Sequence, residues 1–307
     1  MDMDKKPYDT KPGNIMVWAS IGWGLVLVLA LLYGEKYHSA DALGNRVKKN
    51  EILARMKINM LKSAELEKAA VMAVTDKESE DFAKQSLKAA DDTERDLHEL
   101  DSLTGSDDET KLLKEFHPCW KDFREIDKVL LDFAVQNTNL KAAALSYTKG
   151  VELVRRFEHS IMNLTENCDD VRIIKPAYQA MSALLKIHDL EAPHINESDD
   201  KQMDAIEAVM KTQENQIGIS MKALSDMITD ERRASLDEAS EVFAEFMKIN
   251  AEVIRLSRLN TNIRSAELSM GRKRKTVARC EELLNSMQEA AQAETGLLSK
   301  RLWGKFR

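Results

Sequence analysis

Residues 119–161 read CWKDFREIDKVLLDFAVQNTNLKAAALSYTKGVELVRRFEHSI, and residues 242–284 read VFAEFMKINAEVIRLSRLNTNIRSAELSMGRKRKTVARCEELL. Laid over one another without a gap, 123 positions apart, they match Phe123 to Phe246, Asn137-Thr138-Asn139 to Asn260-Thr261-Asn262, Ala143 to Ala266 and Leu145-Ser146 to Leu268-Ser269. The match extends over about 107–166 and 230–289, so the chain contains an internal duplication. Each copy has a hydrophobic residue every seventh position: Cys119, Ile126, Phe133, Leu140, Tyr147, Val154 and Ile161, then Val242, Ile249, Leu256, Ile263, Met270, Val277 and Leu284. A seven-residue period held in phase predicts one long helix per copy, its stripe facing partner helices. Each helix would be roughly 85–90 Å long at the α-helical rise.

Composition agrees with an all-α chain. Of 307 residues, 43% are hydrophobic and 32% charged, with eleven Gly and five Pro, too little turn chemistry for a β-rich fold. A net charge of −7 supplies no basic footprint, which argues against nucleic acid as a partner. The three cysteines have neither zinc nor haem-attachment spacing, so no cofactor is expected. His188, Asp189, Glu191 and His194 cluster, but Pro193 is expected to put His194 in a turn, and a solvated helix end is the plain reading.

From Ile15 to Tyr33 no charge appears, and Trp18 and Tyr33 stand near the two ends. This is the length of a membrane-spanning helix with interfacial aromatics, predicting a tail over 1–14 and an anchor over 15–34. A cleaved signal peptide competes, because Ala40-Asp41-Ala42 looks like a cleavage site. The long apolar run favours the uncleaved anchor. Lysines and arginines on both sides leave orientation open.

A duplicated helical domain is expected over 44–295, with repeats of about 47–166 and 170–294. In each, two short helices precede a long one. Thr75-Asp76-Lys77-Glu78 forms a capping box for the second helix. The helix after Pro176 is expected to pack through Tyr178, Met181, Leu185 and Leu190, with a loop at 193–198. The next carries Met203, Ile206, Met210, Ile217, Met221 and Leu224. These lengths close as two stacked four-helix modules that share two long antiparallel helices. The rival arrangement breaks each long helix at Asn-Thr-Asn and gives two bundles in series.

Asn137 and Asn260 fall on core-facing positions and would meet at the waist between modules. The plain reading is a buried polar layer that fixes register, for which replacing both by Leu should raise stability and loosen the register. The sharper reading is a joint or a polar ligand contact. With the two asparagines level, Cys280 lies opposite residue 117, beside Cys119. Two small buried hydrophobes or a disulfide are the readings there. Cys168 is expected to remain unpaired. Arg155, Arg156, Arg255 and Arg258 are candidate contacts for a carboxylate ligand, against the commoner role of a solvated charged face. Residues 296–307 end in an amphipathic basic tail, with Lys300, Arg301, Trp303, Lys305 and Phe306 placed to rest on an anionic membrane.

The stretch from Phe243 to Met287 behind an N-terminal anchor resembles the sensor domains of bacterial methyl-accepting chemotaxis proteins, of the helical bimodular type. The resemblance covers about 15–294 and rests on Asn260-Thr261-Asn262, Arg264-Ser265, Leu268-Ser269 and Arg272-Lys273-Arg274. It implies a single-pass protein of the bacterial inner membrane, with a cytoplasmic N-terminus and a periplasmic domain that dimerises or meets a membrane protein. It also implies signal transduction in chemotaxis through a small organic acid or amino acid ligand. No ligand residue carries over by position. The sequence departs from the type in that no second membrane span or signalling hairpin follows. No nucleophile, acid–base pair or phosphate loop converges, so an enzyme is not expected. The expected function is a sensor module, with an assembly subunit of a membrane complex as the alternative.

Overall fold

The computed structural model describes residues 44–103, 105, 107–228 and 230–304, with side chains through residue 293 except at 230. The expected anchor over 15–34 lies outside these residues. Among the described residues, no helix is long and apolar enough to cross a membrane. They are all-helical: α1 (44–72), α2 (Asp76–Asp101), α3 (Asp107–Gln136), α4 (Thr138–Leu145), the π turn Ser146–Gly150, α5 (Val151–Thr165), α6 (Val171–Asn196), α7 (Asp200–Ser225), α8 (Asp230–Leu259), α9 (Thr261–Leu268), the π turn Ser269–Lys273 and α10 (Arg274–Gly304). The duplication is visible in this order. α3 and α8 each have 30 residues, α4 and α9 eight, and the π turns five.

The expectation of two unbroken helices is corrected. Asn137 and Asn260 are left-handed, with φ of 51° and 53°, and each separates two helices. Asparagine tolerates this region better than other residues with a Cβ, so neither break needs a glycine. The apolar period fails beyond each break: Tyr147 and Met270 are 66% and 68% exposed. The left-handed residue turns the stripe off the core. The π turn, with its wider i→i+5 spacing, returns it to Val154 and Ile161, which are buried.

The chain divides into two compact units. One comprises the described parts of Met1–Ile58, with Thr93–Phe116 and Glu282–Arg307. It buries Ile52, Met56, Leu97, Leu100, Leu113 and Phe116. A buried ion pair joins Lys49 to Glu109 (2.7 Å), and Arg55 reaches Asp96 (2.8 Å). The backbone of 294–304 belongs to α10, but the tail residues Lys300, Arg301 and Trp303 have no described side chain, and Lys305 and Phe306 lie outside the described residues.

The other unit is Asn59–Asp92 with His117–Glu281. In it α5, α6, α7 and α8 pack around Phe157, Ile161, Leu184, Ile187, Met210, Ile217, Val242 and Phe246. α6 uses Ile173, Ala177, Ala180, Leu184 and Ile187 for this contact, whereas Tyr178 and Leu185 are 50% and 39% exposed, contrary to expectation. Alanines at helical spacing bring backbones close, and the larger side chains are left outside. α6 also runs on through Pro193 to Asn196, so His194 is helical and fully buried rather than in a turn. The capping box at the start of α2 forms: the Glu78 N–H donates to Thr75 Oγ1 (3.2 Å) and the Thr75 hydroxyl to Glu78 Oε2 (2.9 Å).

Candidate functional site: a polar layer present in both copies

A break in a helix frees backbone N–H groups on its far side, and buried donors must find partners. Here each copy supplies the partners for the other. The Thr138 N–H donates to Thr261 Oγ1 and the Thr261 N–H to Thr138 Oγ1, both at 3.2 Å. One position on, the Asn139 N–H donates to Asn262 Oδ1 (3.1 Å) and the Asn262 N–H to Asn139 Oδ1 (3.3 Å). Asn139 Nδ2 donates to Asn260 Oδ1 (2.8 Å), and Asn262 Nδ2 to Asn137 Oδ1 (3.0 Å). Asn137 and Asn260 are 1% and 4% exposed. They do not face one another. Asn137 meets Asn262 and Asn139 meets Asn260, a two-residue shift from the level pairing expected.

The shift sets the register on both sides of the layer. Arg156 pairs with Glu245 (3.2 Å) in one direction, and Lys273 with Asp127 in the other. Two more residues also bring Cys280 opposite Cys119, and the structure joins them in a disulfide with Cα atoms 5.9 Å apart. Cys168 is free and partly buried.

Each copy then has a buried carboxylate beneath its π turn. Beneath the π turn of the first copy Ser146 donates to Glu191 Oε2 (2.5 Å), and His188 Nε2 lies 4.0 Å from the same oxygen. Beneath that of the second, Ser269 stands by Glu67, although neither Glu67 oxygen makes a well-formed hydrogen bond. Both glutamates are fully buried. Burial raises both pKa values, that of Glu67 to about 7, with Ser269 and Lys273 only partly offsetting it.

The two copies differ in the cation. Lys273 is 1% exposed, donates to Asp127 and to the Phe123 carbonyl (3.3 Å), and lies 3.0 Å over the Phe123 ring. Desolvation lowers its pKa to about 8 against the pull of Asp127, whose own carboxyl is pushed up by burial. The residue matching Lys273 in the other copy is Gly150. A Cβ there would stand 3.3 Å from the His188 ring, which faces Phe246, the match of Phe123, at 6.4 Å. His188 of α6 thus fills, beside Phe246, the space that Lys273 from the π turn of the second copy fills beside Phe123.

The candidate arginines do not converge. Arg155 is exposed, Arg156 pairs with Glu245, and Arg255 with Glu252 (2.7 Å). Arg258 binds Glu207 (2.7 Å) and Asp204, and these contacts raise its pKa. Glu207 also accepts from His194 Nε2 (2.8 Å). Burial would raise its pKa, but the Arg258 and His194 hydrogen bonds more than offset this and lower it. Three of the four are therefore occupied by carboxylates of the chain itself. Among the described residues no group of three or more His, Cys, Asp or Glu side chains could hold a metal ion.

Sequence reasoning passed over Glu67 and Asp127, and read Lys273 only as part of the Arg272-Lys273-Arg274 match. A signal existed: Asp127 lies four residues after Phe123 and three before Leu130, a charge on the core face, and buried charges need partners. No protein-family model matches the chain, and no curated protein matches it. The geometry shows a buried, hydrogen-bonded joint between two antiparallel helical segments, with ionisable groups on either side.

Proposed function

We propose that the chain is a membrane-anchored, chemoreceptor-like sensor module that binds a small solute or a partner protein and passes its state to another protein. The finer architecture belongs to this reading: two four-helix modules that share two long segments. The observation that carries it is the repeated joint, a left-handed asparagine followed by a π turn, at matching places in both copies. A plain spacer would be served by regular helix, whereas π turns recur at functional positions. The disulfide agrees with an oxidising compartment such as the periplasm. In this reading the chain is not an enzyme.

A second reading, an assembly subunit of a membrane complex, draws on that same disulfide and on the interlocked Asn-Thr-Asn layer, both of which suit a rigid strut. Thermal unfolding of the full chain in lipid nanodiscs, screened against organic acids and amino acids, separates the two. A saturable ligand at a hundred times its Kd stabilises by about 2.7 kcal/mol. Silence across the screen, together with a co-purifying membrane protein, would overturn the sensor reading.

A further inference from the structure

Within the larger unit, α2 and α3 leave a half-open groove of about 610 Å³ between them. One end is apolar: Ala83 and Leu87 stand one turn apart on α2, and Leu131 and Val135 one turn apart on α3. The other end carries Arg124 and Lys128. Neighbouring charges are partly engaged. Arg124 pairs with Asp91 (2.5 Å), Lys121 lies 3.8 Å from Glu125, and Asp132 accepts from Gln136 (3.2 Å). Lys128 is exposed and has no ion pair among the described residues.

The duplication supplies an internal control. α2 and α7 start 124 residues apart, at Asp76 and Asp200, so Ala83 corresponds to Glu207 and Leu87 to Lys211, while at the 123-residue spacing of α3 and α8 Lys128 corresponds to Ala251 and Val135 to Arg258. There Glu207 and Arg258 bridge the same seam at 2.7 Å, and Lys211 pairs with Glu214 (2.7 Å). The fold accepts a charged bridge at this place, so the open apolar seam of the first copy follows from its own residues. Leu87 is left 40% exposed where its counterpart is a lysine.

We propose that this groove binds an amphipathic anion, its carboxylate or sulfonate head on Lys128 and Arg124 and its acyl or aryl tail along Ala83, Leu87, Leu131 and Val135. Toward one end Lys121, Arg124 and Lys128 outnumber Glu125, and toward the other Ala83, Leu131 and Val135 are apolar with Asp132 beside them held by Gln136, an uneven distribution that suits an anionic head and an apolar tail. From Lys128 to Val135 is about 10 Å along the helix, room for a medium-length tail. The volume falls in the ordinary range for small-molecule sites. The proposal gives a ligand class to the solute-binding reading above and rests on it for its biological meaning.

The test is calorimetric titration of the full chain in nanodiscs with 4-phenylbutyrate, against empty nanodiscs, with 4-phenylbutylamine as the charge-reversed control. The wild type should show saturable binding of the acid and none of the amine. Lys128→Glu, an exposed position, should weaken it at least tenfold. Ala83→Glu with Val135→Arg, which transplants the bridge of the second copy, should do the same while circular dichroism stays unchanged. Should that pair fail to fold, Lys128→Glu decides alone. No heat beyond that of empty nanodiscs, equal binding of the amine, or unchanged affinity in the variants would overturn the site. A solute that stabilises the chain equally in wild type and variants would remove this groove and leave the sensor reading standing.

Discussion

Replacing Glu67 by Gln should remove a pH dependence that the native chain carries. The Glu67 carboxyl is fully buried and its pKa rises from 4.5 to about 7, because burial disfavours the charged form more than Ser269 and Lys273 favour it. A carboxyl with a raised folded-state pKa contributes stability that is complete below about pH 4.5 and is lost as the pH rises through about 7. At about 1.4 kcal/mol per pH unit, the shift corresponds to roughly 3 kcal/mol lost between these limits. Glutamine keeps the shape and cannot ionise. Urea unfolding of wild type and E67Q at several pH values from 5 to 7, about a unit below the Lys273 pKa of about 8, reads chiefly this group together with its coupling to Lys273 and Asp127, since groups remote from it cancel in the difference. The variant should gain on the wild type by about 2–3 kcal/mol across that range. A constant difference with pH would refute the argument, and would mean that Glu67 has a solvent path or a better partner than the structure gives it.

The left-handed asparagines make a second prediction, opposite to the one drawn from sequence. Asn137→Leu should destabilise by about 3 kcal/mol, combining strain at positive φ with the Asn262 side-chain N–H left without its acceptor, and Asn137→Gly should retain more stability than Leu. A leucine variant with a higher urea midpoint than wild type would contradict this. Lys273→Met alone should cost about 3–5 kcal/mol by stranding Asp127, whereas Lys273→Met with Asp127→Leu should cost far less, measured as a double-mutant cycle. Cys119→Ser with Cys280→Ser opens a crosslink between residues 161 apart in sequence and should lower stability by roughly 2–5 kcal/mol. Non-reducing mass spectrometry should recover the Cys119–Cys280 peptide pair, and finding both thiols free would refute the linkage.

The all-helical class, the repeat and the capping box were legible because they depend on local pattern and on spacing within one segment. The breaks at Asn137 and Asn260 were not, since a seven-residue period survives on paper when a left-handed residue and a later π turn cancel each other in phase. Tyr147 and Met270 held the clue, being a polar-tipped and an unbranched residue on a stripe otherwise mostly aliphatic. Sequence placed the two cysteines near one another but off by two residues, because it assumed that like asparagines face each other. The structure pairs Asn137 with Asn262 instead, a choice set by which backbone N–H groups need acceptors. The four arginines were read without the carboxylates of other helices that occupy three of them. His194 was misplaced because a proline within a helix was taken as its end.

The matching π turns also date events in the history of this gene. A five-residue π turn amounts to one residue inserted into an α-helix, and separate insertions at matching sites of two copies would be a coincidence. The ancestral single unit therefore already held the insertion and the asparagine before it doubled. At that stage its freed amides would have been met by a second chain related by twofold symmetry, and the present chain would preserve, fused in one polypeptide, what began as a contact between two molecules.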